Sequence, residues 1–330
     1  MDLHQIESRT REVFPAWKDT PLECSLIEKG GSGRVYVRVG INGSKESIIA
    51  MHYTRDRSDN LRFAAITDFL VRHGVPCPAI LRRQEDDNLL WIQDLGSVDL
   101  GSLTGADWET ERRPAYESAL RAVVRLHGFV ESDPPDDLPA MELSFDEALY
   151  EWEQEYFLKQ YVSRFLAPEK ADLLRGDPSL KALRRELSGL PRSLVHRDFQ
   201  STNVMIFGGR TYLIDYQGLR WGRPEYDLAS LIYDPYTEFT ADERRHLVDF
   251  YCGLLEDGGR AVDCDEFRVR LNQCAAQRLM QALGAYGFLS EEKGLKEFLR
   301  HIPAARSRLA ELSNGDGGLP VLADLLAAPG

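Results

Sequence analysis

The alternating apolar runs of this 330-residue chain lie almost entirely before residue 94, and helical spacing dominates after about residue 112. Segregation of that kind points to an α+β fold with a sheet at one end and helices at the other. Strands are expected at Ser25–Ile27, Arg34–Val39, Ser47–Met51, Ala79–Leu81 and Leu89–Gln93, with Asn42-Gly43 closing a hairpin. Helices are expected over 2–18 and 59–73, and then at about 113–128, 144–166, 179–188, 226–237, 241–256, 264–287 and 292–312. The reading divides the chain into a small lobe, 1–97, with five antiparallel strands and a helix, and a larger helical lobe, 98–330, joined at 93–98. The Gly- and Ala-rich tail from Asn314 is expected to dock loosely.

The segment 193–224 breaks the helical pattern. In it Val195-His196-Arg197-Asp198 is followed by Asn203, and then by the apolar run Tyr212-Leu213-Ile214 ending in Asp215. Phosphoryl transfer from ATP needs these groups, an acid beside the attacking hydroxyl and an Asn and an Asp holding Mg2+ on the phosphates, and the spacing seen here is specific to such a loop. Asp198 is therefore the expected catalytic residue, accepting a hydrogen bond from the acceptor hydroxyl. Asn203 and Asp215 are expected metal ligands, because Mg2+ takes hard oxygen donors and few of them from protein. His196 and Arg197 are expected to brace the loop. Asp227 either accepts backbone N–H bonds from the loop or caps a helix, and the two roles are compatible.

Gly30, Gly31, Ser32 and Gly33 form a turn just before a β run. Glycines let backbone N–H groups approach phosphate closely, so this is the expected ATP-phosphate loop, with a plain hairpin turn as the alternative. Gln93, Asp94 and Leu95 fall where a connector would read adenine through its backbone. The third strand has Met51 at or near the place where this architecture carries a Lys for the α- and β-phosphates. Lys45, in the preceding turn, and Lys29, before the glycines, are candidates to replace it.

Composition narrows the partners. A net charge of -13 argues against nucleic acid and anionic membranes, which call for a basic face. No apolar run approaches the roughly 20 residues needed to span a bilayer. Residues 1–7 are polar with no signal-like core, so a cytoplasmic location is expected. The five cysteines, Cys24, Cys77, Cys252, Cys264 and Cys274, have no metal-ligand spacing and read as idle thiols of a reducing compartment. The expected partner is a small molecule, and nothing in the sequence sets an oligomeric state.

These motifs resemble the aminoglycoside phosphotransferase and choline kinase superfamily, with its two-lobed protein-kinase-like fold. Within it the chain is most similar, over nearly its whole length, to bacterial anomeric sugar kinases acting on N-acetylmuramate and N-acetylglucosamine in cell-wall recycling. The resemblance is carried by Ile49-Ala50-Met51, Asp94-Leu95-Gly96, Asp146-Glu147-Ala148-Leu149 with Glu153 and Glu155, Val195 to Asp198, Asn203 to Met205, Asp215-Tyr216-Gln217, and Gln277-Arg278. It implies ATP and Mg2+ as cofactors and a sugar as substrate. The chain departs from that pattern at Thr202, over Gly218 to Arg223 and at Gln281, which leaves the identity of the sugar open.

A sugar site requires groups that grip vicinal hydroxyls. Glu153 and Glu155 are candidates, although residues two apart do not share a helix face and the resemblance favours Glu153. Gln217 and Arg220 follow the metal Asp closely, and Arg278 follows in the late helix; a surface ion pair is the alternative for both arginines. The expected function is an ATP- and Mg2+-dependent small-molecule kinase, for an amino sugar at its anomeric hydroxyl. An aminoglycoside or choline-like amine kinase is the first alternative. A non-catalytic kinase-like nucleotide-binding protein is the second, and only the missing strand Lys supports it.

Overall fold

The computed structural model describes residues 1–27, 33–315 and 317–327. One antiparallel five-stranded sheet is built from β1 (Leu22–Ile27), β2 (Arg34–Ile41), β3 (Ser47–Tyr53), β4 (Ile80–Gln84) and β5 (Leu89–Gln93) in the order β1-β2-β3-β5-β4. The alternation of β2 sends Val37 and Val39 to one face, where they are fully buried against α1 (Leu3–Val13). β3 is the central strand and is covered on both sides. Ile48 and Ala50 join the α1 cluster, while Ile49 and Met51 join the main core that includes Phe63 of α2 (Ser58–Arg72). That double burial explains its uninterrupted apolar run. Trp91 of β5 donates its indole N–H to Thr10 of α1 at 2.9 Å, which fixes the helix across the sheet.

The second lobe is helical: α3 (Arg113–Leu126), α4 (Glu147–Phe157), α5 (Pro168–Arg175), α6 (Pro178–Gly189), α7 (Pro224–Ile232), α8 (Ala241–Asp257), α9 (Cys264–Glu291), α10 (Ile302–Ser313) and α11 (Pro320–Ala327). α9 runs through its middle, with α4, α7 and α10 packed on it. Close approach there depends on glycine. A Cβ on Gly284 would come within 2.9 Å of Tyr156, and one on Gly287 within 2.2 Å of the Gln160 carbonyl oxygen. Two short strand pairs, β6 (Ser193–Val195) with β9 (Arg220–Gly222) and β7 (Val204–Phe207) with β8 (Arg210–Leu213), break the helical order.

The lobes are tied together. Tyr216 stacks on Phe63 with ring centroids 5.5 Å apart, and its hydroxyl is 2.7 Å from Thr67 Oγ1, both on α2. Arg62, also on α2, pairs with Glu142 across the lobes. No helix among the described residues is long and apolar enough to cross a membrane.

Several expected boundaries change. The helix over 2–18 ends at Val13, because Pro15 has no N–H to continue the ladder and starts a 3-10 turn instead. The helix over 144–166 passes at Leu158 into a π-helical stretch ending at Leu166. The helix over 292–312 is a 3-10 turn, Lys296–His301, followed by α10. The tail does not dock loosely over 320–327. α11 buries Leu322, Leu325 and Leu326 against the main core, a contribution the Gly and Ala content conceals.

Candidate active site

The strand pairs make the site. β6 leads into Val195-His196-Arg197-Asp198, and a 3-10 turn over Ser201–Asn203 leads into β7. The Gly208-Gly209 turn, with φ of 57° and 74°, reverses the chain into β8. Register then brings the far end of β8 back to the start of β7, and the Ile214 N–H donates to the Asn203 carbonyl at 3.0 Å. Asn203 and Asp215 thus flank one hairpin despite their separation in sequence.

Arg197 and Asp215 both adopt left-handed backbone, with φ of 75° and 62°. For non-glycine residues that strain amounts to about 1–3 kcal/mol each. The surrounding bonds hold it in place. Asp227, at the start of α7, accepts the His196 N–H at 2.6 Å and the Arg197 N–H at 2.8 Å. His196 Nε2 donates to the Ile214 carbonyl at 2.9 Å, bracing the loop against the β8 end. Asp234 accepts from Ser201 N and Oγ at 2.7 and 2.6 Å, and burial pushes its carboxyl pKa up.

A cleft of about 820 Å3 lies between the lobes, within the range of small-molecule sites. Asp198, Asn203, Asp215, Gln217 and Arg220 line its lower wall, and Gln93, Asp94 and Leu95 line its back. Of the glycine turn, Gly30, Gly31 and Ser32 lie outside the described residues, as does Lys29; Gly33 is in left-handed backbone at φ 68°. The Asp94 carboxylate faces the sheet, accepting from Arg38 Nε at 2.6 Å, Ser47 Oγ at 2.7 Å and Gly96 N at 2.8 Å.

Asp198 is ringed by cations. Arg197 Nη1 is 3.0 Å from Oδ2 and Arg278 Nη2 is 3.6 Å from Oδ1. Burial works to raise the Asp198 pKa, but Arg197, Arg278, His196 and Arg220 outweigh it and hold it below the usual carboxylate range. Arg220 lies over the Phe145 ring at 5.2 Å and donates to the Gly218 carbonyl at 3.0 Å. The Asn203 amide donates Nδ2 to the Asp198 carbonyl at 3.0 Å, which leaves its oxygen as the group available to a ligand. The Asp215 side chain is 50% exposed to the cleft. A hard carboxylate oxygen and a hard amide oxygen on one hairpin fit Mg2+.

Gln217 is almost fully buried, yet neither its amide nitrogen nor its amide oxygen has a hydrogen-bond partner among the described residues. Glu153 is fully buried beneath the cleft rather than in its wall. It accepts from the Tyr226 hydroxyl at 2.8 Å and from Gln277 Nε2 at 3.1 Å. Glu155 points away on the opposite side of α4 and pairs with Arg175 at the surface. The structure does not bring Glu155 to the cleft, consistent with a two-residue offset on a helix. Lys45 does not reach it either; it lies in a separate depression beside Trp17 and Phe207. The sequence motifs do not mark Asp234 or the cleft arginine Arg34. A Tyr233-Asp234-Pro235 turn after an apolar helix was the available signal for the first, and the alternation of Arg34, Tyr36 and Arg38 in β2 for the second.

Comparison with known proteins agrees with this architecture. An N-acetylmuramate/N-acetylglucosamine kinase of Pseudomonas aeruginosa is 25% identical, covering 96% of this chain and 95% of that protein. One from Neisseria meningitidis serogroup B is 25% identical over 76% of this chain and 75% of its own length. Among solved structures, a choline/ethanolamine kinase family protein from Mesorhizobium loti superposes with a TM-score of 0.64 at 17% identity, covering 98% of this chain and 99% of that one. The ADP-bound aminoglycoside phosphotransferase APH(2'')-Ib gives 0.62 at 13% identity, covering 94% and 99%. Both share the two-lobed protein-kinase-like fold. The family model described as phosphotransferase enzyme family matches residues 23–263, and the chain belongs to that family of enzymes.

Proposed function

We propose that this phosphotransferase moves the γ-phosphoryl group of ATP to the anomeric hydroxyl of an amino sugar of the N-acetylhexosamine or N-acetylmuramate type. The names of the relatives that align over nearly the whole chain support the sugar. The observation that carries the reading is the charge pattern of the cleft. Most of the acids that line it already have cationic partners: Asp59 has Arg57, Glu142 has Arg62, Asp94 has Arg38, Asp215 has Arg34, and Asp198 has Arg197 and Arg278, while Asp56 and Asp99 have none among the described residues. A polycationic aminoglycoside or a quaternary amine would find few unpaired carboxylates and would meet buried guanidinium groups. A neutral or anionic sugar meets no such penalty.

In this reading Asp198, kept ionised by the surrounding arginines, orients the acceptor hydroxyl and takes its proton late. Asn203 and Asp215 would hold Mg2+, which when bound neutralises phosphate charge as it develops. Arg197 and Asp227 hold the loop so that Asp198 keeps its place. Such a reaction belongs where ATP is made available, in the cytoplasm.

The test is ADP release with ATP and Mg2+ over N-acetylglucosamine, N-acetylgalactosamine, N-acetylmuramate, glucose, galactose, choline and kanamycin. Turnover is expected on an N-acetylhexosamine or its muramyl relative, giving an acid-labile, alkali-stable phosphate. It is expected to fall by about 100-fold or more in Asp198→Asn. Turnover on kanamycin or choline alone would overturn the sugar assignment and leave the chemistry standing.

A further inference from the structure

A cleft that binds nucleotide needs a cation for the α- and β-phosphates, and β3 does not supply one. Ile49 and Met51 point to the cleft side of the sheet, but both are apolar and buried. The neighbouring strand carries charge on that same side. Arg34, Tyr36 and Arg38 alternate into the cleft wall along β2, opposite Tyr53, Met51 and Ile49 of β3. Arg38 is committed to the connector: its guanidinium bonds both Asp94 oxygens and the Gly96 carbonyl. Arg34 instead crosses to the other lobe, with Nη2 3.4 Å from Asp215 Oδ1, and its side chain is only 4% exposed. The strand is pinned just before it. The Gly33 carbonyl accepts the Thr54 N–H at 3.1 Å, and a Cβ on Gly33 would come within 2.9 Å of Thr54 Oγ1.

We infer that Arg34 replaces the missing strand lysine as the phosphate-binding cation, one same-face step along the sheet and one strand over. This rests on the ATP reading above. Without nucleotide the guanidinium neutralises Asp215. With nucleotide bound, its fork takes non-bridging oxygens of the α- and β-phosphates, and Asp215 is released to the metal. A guanidinium suits the place because it is planar, matches phosphate with two parallel N–H bonds and tolerates desolvation better than an ammonium. The buried Met51 then needs no acidic partner on α2, where the core instead holds Phe63.

Binding of Mg·ADP and of adenosine to wild type, Arg34→Met and Arg34→Lys, measured calorimetrically without acceptor, tests this. Arg34→Met is expected to bind Mg·ADP about 10–100-fold more weakly, as for one lost charge-assisted bond pair, with adenosine affinity unchanged. Arg34→Lys is expected to fall between. Unchanged Mg·ADP affinity in Arg34→Met overturns the assignment. So does an equal loss for ADP and adenosine, which marks a structural role. Wild type that binds no adenine nucleotide overturns this inference and the ATP reading together. Wild type that binds Mg·ADP but phosphorylates none of the sugars overturns the sugar alone.

Discussion

His127 and Asp227 meet in the interior, Nε2 to Oδ2 at 3.0 Å, with neither side chain exposed. The Tyr251 hydroxyl is 2.7 Å from His127 Nδ1, so a chain of hydrogen bonds runs from Tyr251 through His127 and Asp227 to the backbone of His196 and Arg197. α3, α7 and α8 thereby fix the geometry of the Asp198 loop from beneath.

Asp227→Ala is expected to be among the most damaging single changes in the chain. It strands two backbone N–H groups and an imidazole in the core and releases the left-handed Arg197. Each buried hydrogen-bonding group left without its partner costs about 1–3 kcal/mol. Urea unfolding should show a free energy of unfolding lowered by several kcal/mol, with the midpoint moved to lower urea accordingly, and turnover should fall even where the protein remains folded. An unchanged midpoint would mean that the loop is held by something other than this chain of bonds.

Arg278→Met addresses the electrostatics of Asp198. Burial favours the neutral acid there, and the surrounding groups, with Arg197 first and Arg278 next, reverse that preference. Removing one moves the Asp198 pKa upward, so the acid limb of the rate profile should shift to higher pH. The depressed pKa also contributes stability that is present above the unfolded value of about 3.9 and is lost as pH falls through the folded value. Arg278→Met should reduce that contribution. An acid limb that stays where it was would show that Arg278 acts only through its bonds to Ser230 and Gln281.

Glu153→Gln moves stability in the opposite sense. Burial raises the Glu153 pKa, and Gln277, Arg197, Tyr226 and Arg278 only partly oppose it. A carboxyl with a raised folded pKa weakens folding as pH rises past its ordinary value. The variant should therefore gain on wild type with rising pH and match it in acid, with little change in acceptor KM. A large KM change with no pH-dependent gain in stability would place Glu153 in contact with the acceptor after all.

Much of this was readable in the sequence because the chemistry fixes spacings. Asp198, Asn203 and Asp215 stand out because their types and spacing match a phosphoryl-transfer motif, and the five strands follow from period-2 alternation within a short stretch. What stayed hidden depends on tertiary distance. Glu153 and Glu155 carry the same charge two residues apart, and only packing against α7 and α9 buries the first and leaves the second with Arg175. Arg34 is not marked by its sequence, because the kinase-like pattern places its phosphate-binding cation on β3. The helix α11 escaped because Gly and Ala around it hide four closely spaced leucines, Leu319, Leu322, Leu325 and Leu326, all buried.

Gln217 gives the sharpest separation of binding from stability. Its amide is buried at the cleft wall with two polar atoms unmatched by the protein. In a native fold a ligand or an ordered water completes such a group, and the place of Gln217 in the cleft wall makes the acceptor the expected partner. Replacing it with the similarly sized Leu removes the unmatched atoms, so the unfolding midpoint should hold or rise. The acceptor then loses its hydrogen bonds, worth about 1–3 kcal/mol when a polar partner is left unpaired, or about 10–100-fold in acceptor KM. ATP KM should stay within about twofold, because the lost bonds belong to the other substrate. Steady-state kinetics beside thermal unfolding would check both halves. A fall in stability with unchanged acceptor KM would show that Gln217 serves the fold and leaves the acceptor to other residues.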